Sequence, residues 1–437
     1  MKKTVATIMI ILFVGFTAIC YQGRYSAPTN ITEITFWQFW TGFEGKAIEK
    51  LVEKFNKTHS NLKVKMLTIS EPRKKILLSI IGGTPPDVIS AVAEWVPELA
   101  LRNAILPLDY YCKENMITEK LFIPVFWKML NLYGHTWALP TTPTSSALHW
   151  NKNLFKEAGL NPESPPKTLR ELEEYSERLT KKTKDGKIVQ IGFLPSWPMW
   201  SFSFYPSLFS GSWGDSELGK ITANNPKNIQ AWEWAQSFTR KLGAENIQTF
   251  QEEFGNYQGP NNPFYTGMIA IEVNGVWEGN FISYFAPQIK WGIAPVPTID
   301  GKLATVVNTD CILIPKGSKH PKEAFEFIKW LMEPKNLEEL CILQKKFSPL
   351  LYSDREEFIK KHPNPYIKVF IDLAKSNGAQ YFPQITSYQL YARELKREFE
   401  SVMRLKKEPK EALDEVQKKT EREMERQKKH EKTRTQL

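Results

Sequence analysis

Three aromatic rings and a carboxylate crowd one short stretch near the start of this chain: Trp37, Phe39, Trp40 and Glu44. Rings and acids together suit non-covalent capture of a polyhydroxylated molecule. Ring faces stack on weakly apolar C–H faces, and Asp, Glu, Asn or Arg hold the hydroxyl rim by strong, directional hydrogen bonds. The same residue types recur downstream. Asp87 follows Pro85-Pro86 and Trp95 opens a helix-like run. Trp197 and Trp200 stand in the ring-rich stretch 193–213, and Trp277 follows Asn274-Gly275, where the backbone must turn. Asn308-Thr309-Asp310 interrupts the apolar runs Val306-Val307 and Ile312-Leu313-Ile314.

Each of these has a plain structural alternative. Trp37 and Phe39 read as core, as do Phe202, Phe204, Tyr205 and Phe209. Trp277 could be a core ring and Trp95 a surface one. Glu44 also suits the positive end of a helix. Asp87 could bridge a turn, and Asn308 to Asp310 could be one.

A catalytic reading finds little support. Glu44 with Asp310 could form the carboxylate pair of a glycosidase, which needs a separation of about 5 to 10 Å. No Walker loop and no H-E-x-x-H occurs. The run Ser210-Gly211-Ser212-Trp213-Gly214 misses the G-x-S-x-G elbow, because Ser210 stands where the first Gly belongs. The six His are scattered without ligand spacing. No catalytic residue, metal ligand or cofactor is assigned. The net charge of +10 comes largely from the two ends, which argues against a nucleic-acid partner.

A chain of 437 residues is long for one core, so two lobes are expected. Ile34 to Trp40 reads as a buried strand. Ala47, Ile48, Leu51, Val52 and Phe55 form one face of the helix that follows. Leu62, Val64 and Met66 alternate with Lys63 and Lys65 as a second strand. Residues 74–81 read as a short helix stopped by Gly82-Gly83, and 87–92 as a third strand. This alternation predicts an open α/β sheet with helices on both faces. Further on, the pattern predicts a strand ending at Pro140, a Thr/Pro/Ser connector, and another strand around Leu148. Thr168 with Glu171 is a capping box. From Arg393 the chain is helical and heavily charged.

Lys2 and Lys3 precede an apolar run from Val5 to Ile19, followed by Cys20. A run of about 15 residues is short for a membrane helix, which needs roughly 20. It fits a signal peptide over 1–20. Three fates stay open: lipidation of Cys20, cleavage to a free form, or retention as an anchor. All place the folded part outside the cytoplasm. Cys112, Cys311 and Cys341 allow either one disulfide, such as Cys311 with Cys341, or three buried thiols.

Several blocks, in this order and spacing, resemble one family along nearly the whole chain. They are the opening strand–helix of 34–59, "GGTPPDVI", "WALPTTPTSSALHWNKNLFKEAGLNPESPPKTLREL", "FYTGMIAIEVNGVW", "WGIAPVPTIDG" with "ILIPKGSKHPKEAFEFIKWL", and "EPKEALDEV". The family is the extracellular solute-binding proteins of bacterial ABC importers, in particular the sugar-binding group that includes maltose-binding proteins. Ile269-Ala270-Ile271 departs from that group's usual order. The resemblance implies a two-lobe periplasmic-binding-protein-like α/β fold with a hinge and an interlobe cleft. The first lobe is placed at 30–141 plus 300–350, the second at 142–299 plus 351–437. It implies a monomer that binds a carbohydrate and meets permease subunits in the membrane. It makes Trp277 a stacking ring and Tyr388 a contact from the second lobe. Trp40, Glu44, Asp87, Trp95, Trp197, Trp200, Asn274, Asn308 and Asp310 complete the expected set. Which sugar is bound stays open, as does glycerol 3-phosphate or another polyol.

Overall fold

The inward side chains of the first strand, Ile34, Phe36 and Gln38, alternate with outward ones, as the pleat requires. This computed structural model describes residues 31–215 and 219–435. The signal segment and Cys20 lie outside the described residues. Ten strands form one sheet. In chain order they are β1 (Thr32–Gln38), β2 (Leu62–Thr68), β3 (Val88–Val92), β4 (Leu139–Asn151), β5 (Lys181–Lys182), β6 (Ile188–Phe193), β7 (Ile269–Gly275), β8 (Trp291–Ala294), β9 (Thr305–Leu313) and β10 (Ala379–Gln380). Their spatial order is β2-β1-β3-β9-β4-β7-β6-β5, with β8 beside β4 and β10 beside β9.

The sheet has two halves, each with its own core. Helix α1 (Gly42–Thr58) buries the expected stripe of Ala47, Ile48, Leu51, Val52 and Phe55. Phe55 meets Phe327 and Trp330 edge-on at 5.1 and 5.3 Å. Burying one such ring is worth about 2 kcal/mol. In the other half, Phe155, Phe193, Trp232, Tyr391 and Phe399 belong to a separate core. Helix α2 (Leu169–Leu179) starts at the expected cap: Thr168 Oγ1 accepts from the Glu171 amide at 3.0 Å. The Glu171 carboxylate reaches back to the Lys167 amide at 2.7 Å, one residue before the cap.

Two expectations fail where the halves join. Residues 139–151 are one continuous strand, not two strands and a connector. Its first part, up to Ser145, pairs with β9; its second part, from Ser146, pairs with β7 and β8. Pro140 and Pro143 cannot donate to the ladder, but they sit opposite Cys311 and Thr309, where the register slips. The intervening Thr residues favour extended backbone. Likewise the turn alternative for Asn308 to Asp310 fails. The segment lies inside β9, and the period of two sends Asn308 and Asp310 to the same face. Behind this crossing, α3 (Ile367–Lys375) packs Ile367, Phe370 and Ile371 with Ala147 and Val307, and Ser145 Oγ donates to the Phe370 carbonyl at 3.0 Å.

Cys112, Cys311 and Cys341 are buried free thiols, so the Cys311–Cys341 disulfide is not formed. Burial pushes the Cys112 thiol up to about 12 and raises the other two above the ordinary range as well. A thiol reagent at pH 8 should therefore label none of the three in the native protein and all three in denaturant. Fast labelling of any of them under native conditions would contradict this packing.

Candidate functional site

A cavity of about 420 Å³ opens between the two halves, where β1, β3 and β9 end or cross. In an open α/β sheet the crevice at the carboxyl ends of strands is where ligands bind. Among the residues expected there, Trp40, Glu44, Trp200, Trp277, Asn308, Asp310 and Tyr388 line it.

One wall is a knot of charge. Trp40 stands just beyond β1, and its Nε1 donates to Asp310 Oδ2 at 3.1 Å. The same oxygen accepts from Thr142 Oγ1 at 2.7 Å and from Lys346 Nζ at 3.3 Å. Lys346 Nζ also pairs with Glu44 Oε1 at 2.9 Å and lies 4.7 Å from the centre of the Trp40 ring. The ammonium is almost wholly buried. Burial disfavours its charge, but Asp310 and Glu44 outweigh that and hold the group above the ordinary lysine range. Glu44 is thus an ion-pair partner rather than a mere complement to the helix end.

Beside this knot, Asn308 Nδ2 donates to Glu94 Oε1 at 2.6 Å. Glu94 lines the cavity, and the Tyr388 hydroxyl is a second donor turned toward its carboxylate. Burial pushes this carboxyl above its ordinary range, and the Asp310 charge adds to that. Tyr388, the first residue of α4 (Tyr388–Met403), faces Glu94. Its hydroxyl is pushed up by burial and then by the Glu94 charge.

The opposite wall is aromatic. Trp200 meets Tyr257 nearly perpendicularly at 4.3 Å and Trp277 at 6.2 Å. Phe202, Phe281 and Phe382 extend the apolar surface. Trp277 folds back over Gly275, where any Cβ would collide with the indole. Glycine is therefore required there for the ring to take this pose. Trp277 Nε1 donates to Tyr257 Oη at 2.8 Å.

Four expected residues lie elsewhere. Asp87 bridges strands: its Oδ2 accepts from the Thr35 amide at 2.9 Å, and its Oδ1 accepts from Ser318 Oγ at 2.9 Å. Trp95 packs on Phe39 at 5.4 Å, and Phe39 in turn on Trp40 at 4.7 Å. Trp197 is buried under the aromatic wall, and its Nε1 donates to Glu272 Oε2 at 3.1 Å. Asn274 is buried there too, and its Nδ2 donates to Glu272 and Glu278 at 2.9 Å each. Trp37 and Phe39, expected in the core, are half-buried around its edge. Phe202, also expected in the core, both packs there and lines the cavity.

Sequence reasoning missed Glu94, Tyr257 and Lys346. Glu94 follows β3 as Trp40 follows β1, so the strand-end rule could have found it. Tyr257 is a lone ring among turn formers in Gly255-Asn256-Tyr257-Gln258-Gly259, a weak signal. Lys346 sits in a loop of ordinary composition and carries no local mark.

The pattern described as "Bacterial extracellular solute-binding protein" matches residues 43–338. The chain is 24% identical over 418 residues to the sn-glycerol-3-phosphate-binding periplasmic protein UgpB of Pectobacterium atrosepticum, covering 88% of this chain and 89% of that one. It is 23% identical over 318 residues to a maltotriose-binding protein of Pyrococcus abyssi, 71% of this chain and 65% of that one. Among solved structures, CpMnBP1 with mannotriose bound superposes with a TM-score of 0.79 at 30% identity, over 89% of this chain and all of that one. The sugar-binding protein MalE of Xanthomonas citri superposes with a TM-score of 0.75 at 19% identity, over 91% and 98%. A shared pattern across the first half, the crossing strands and the second half, on a two-lobe fold with a cleft between the lobes, places this chain in the family of bacterial extracellular solute-binding proteins.

Proposed function

We propose that this protein captures a neutral oligosaccharide outside the cytoplasm and delivers it to the permease subunits of an ABC importer. The observation that carries this reading is the pairing of two opposed walls in one cavity. Trp200, Trp277 and Phe281 offer flat apolar faces, and Glu94, Asn308 and Asp310 offer a polar rim. Glu94 takes the Asn308 amide and faces the Tyr388 hydroxyl, and its carboxyl keeps acceptor capacity at the cavity that a sugar hydroxyl can use. The cavity falls within the roughly 300–1,000 Å³ usual for small-ligand pockets. Because a 30% identical relative is described with mannotriose, short manno-oligosaccharides are the first class to test.

Glycerol 3-phosphate is the second reading, favoured by the likeness to UgpB. The charge of the cavity opposes it. Among the described residues the lining holds three acids, Glu44, Glu94 and Asp310, one ammonium, Lys346, already paired with Glu44 and Asp310, and no Arg. A phosphate wants an Arg cluster or a free helix N-terminus. Hydrolysis is disfavoured for a related reason: Glu44 and Asp310, the pair weighed for acid and base, are both committed to Lys346.

In this reading the lobes, 30–141 with 300–350 and 142–299 with 351–437, close over the ligand, and binding shifts the population to the closed form. The chain acts as a monomer outside the cytoplasm, either anchored by lipid on Cys20 or released in the periplasm. The test is a thermal-shift and calorimetric screen of mono- and oligosaccharides with glycerol 3-phosphate. A true ligand at 100 times its Kd adds about 2.7 kcal/mol of stability. The expected result is a hit on one oligosaccharide series with no product formed over hours. A hit on glycerol 3-phosphate alone would overturn the reading.

A further inference from the structure

Beneath the aromatic wall lie two carboxylates that no ligand reaches. Glu272, on β7, and Glu278, in the first turn of the helix that follows it, are fully buried. Asn274 joins them through its two Nδ2 hydrogens. Tyr265 Oη donates to Glu278 Oε1 at 2.5 Å, Tyr257 Oη to Glu278 Oε2 at 2.8 Å, and Trp197 Nε1 to Glu272 Oε2 at 3.1 Å. The elements packed around the pair are residues 194–200, residues 254–265, β7 with its neighbours β4 and β6, and Glu278–Phe285. The titratable groups they turn toward it are Tyr257, Tyr265 and, opposite Glu272 across the β4–β7 ladder, His149, whose imidazole is pushed down to about 4 by burial and so stays uncharged. Among the described residues no Lys, Arg or His pairs with either acid. Two buried negative charges without a cation are costly, so the pair retains a proton well above the usual carboxylate range.

We propose that Glu278, backed by Glu272, positions Trp277 through Tyr257 and thereby ties the affinity of the cavity to pH. The inference rests on reading the cavity as a sugar site. The link is short: Trp277 Nε1 donates to Tyr257 Oη, and the one hydroxyl hydrogen of Tyr257 has two acceptors in reach. These are Glu278 Oε2 at 2.8 Å and Asn274 Oδ1 at 3.0 Å. With Glu278 ionised, Tyr257 donates to the carboxylate. That charge-assisted bond polarises the phenol and strengthens its acceptance of the Trp277 N–H. With Glu278 protonated at Oε2, its O–H donates to Tyr257 Oη and the tyrosine hydrogen turns to Asn274. Every group stays satisfied, but the charge-assisted anchor of Trp277 is gone. The ionised form holds the stacking ring more firmly, so affinity falls as pH drops through the titration of the pair.

The experiment measures Kd for the best sugar from pH 5 to 8.5 by calorimetry, on the full chain and on two variants. The wild type should weaken roughly 3- to 10-fold toward acid, a change of about 1 kcal/mol. Glu278→Gln, uncharged at every pH, should bind near the acid value and lose most of the wild-type slope, any slope that survives belonging to Glu94. Tyr265→Phe removes a donor from Glu278 at a position that does not line the cavity, so it should move the midpoint to higher pH without abolishing binding. Glu94 also titrates at the cavity, so the variant profiles decide. If Glu278→Gln keeps the wild-type slope, or, should that variant not fold, if Tyr265→Phe leaves the midpoint in place, the proposal is overturned. Absence of any sugar binding by the wild type at every pH would instead remove the sugar reading beneath it.

Discussion

Replacing Trp277 by Ala should weaken sugar binding by roughly 30- to 1,000-fold, about 2 to 4 kcal/mol, while leaving the fold intact. The indole is half-buried, with one side on the cavity and the other over Gly275. Removing it takes away a ring-sized apolar face where the sugar's C–H groups would lie. It also leaves Tyr257 Oη without the Trp277 N–H. Neither loss strands a buried charge, and the cavity side is open to water, so the cost to folding is smaller than the cost to binding. Trp277→Phe keeps a ring but not the donor and should fall between. Calorimetry with circular dichroism decides: unchanged affinity in a natively folded Trp277→Ala protein would sink the assignment of this ring.

Lys346→Met should lower the unfolding free energy by about 3 to 5 kcal/mol. Lys346 is 2% exposed at its side chain, and Glu44 and Asp310 are 7% exposed. Met matches the stem but leaves two buried carboxylates facing each other without their cation. The pH dependence has a definite sign. The folded-state lysine titrates above its ordinary value, so its contribution is complete at neutral pH and is lost only as pH rises through that raised value. Adding Glu44→Gln and Asp310→Asn to Lys346→Met should recover much of the loss at pH 7. Urea denaturation measures all of this, and a loss under about 1 kcal/mol for the single variant would show that the triad is not what holds this wall.

The sequence made the first half of the fold readable because local patterns there agree with the tertiary outcome. The α1 stripe and the alternation in β1 and β2 each bury one face against one core. The crossing strands were misread for the opposite reason. Two prolines and a run of Thr and Ser in 139–151 look like a linker locally, and only pairing with β9, β7 and β8 makes them a strand. The site divides similarly. Trp40, Trp277 and Asp310 were legible as polar or aromatic residues at strand ends or interruptions. Lys346 was not, since what singles it out is two carboxylates brought from residues 44 and 310. Trp197 and Asn274 carry the right chemistry but spend it below the surface, on Glu272 and Glu278, which sequence alone could not separate from a cleft-facing role.

The two strands that cross between the halves constrain how the molecule can move. A hydrogen-bonded antiparallel pair resists sliding and stretching, because either would break rungs of its ladder. It yields far more easily to bending and twisting across its face. β4 and β9 therefore act as a leaf spring, leaving the lobes one soft coordinate, an angle. The crease of that spring is marked by the register slip between Thr309 and Cys311. Asp310 sits at this slip and grips Trp40, Thr142 and Lys346 with one oxygen. One carboxylate oxygen thus ties the cavity wall to the strands that cross between the halves, at the rung where their register slips.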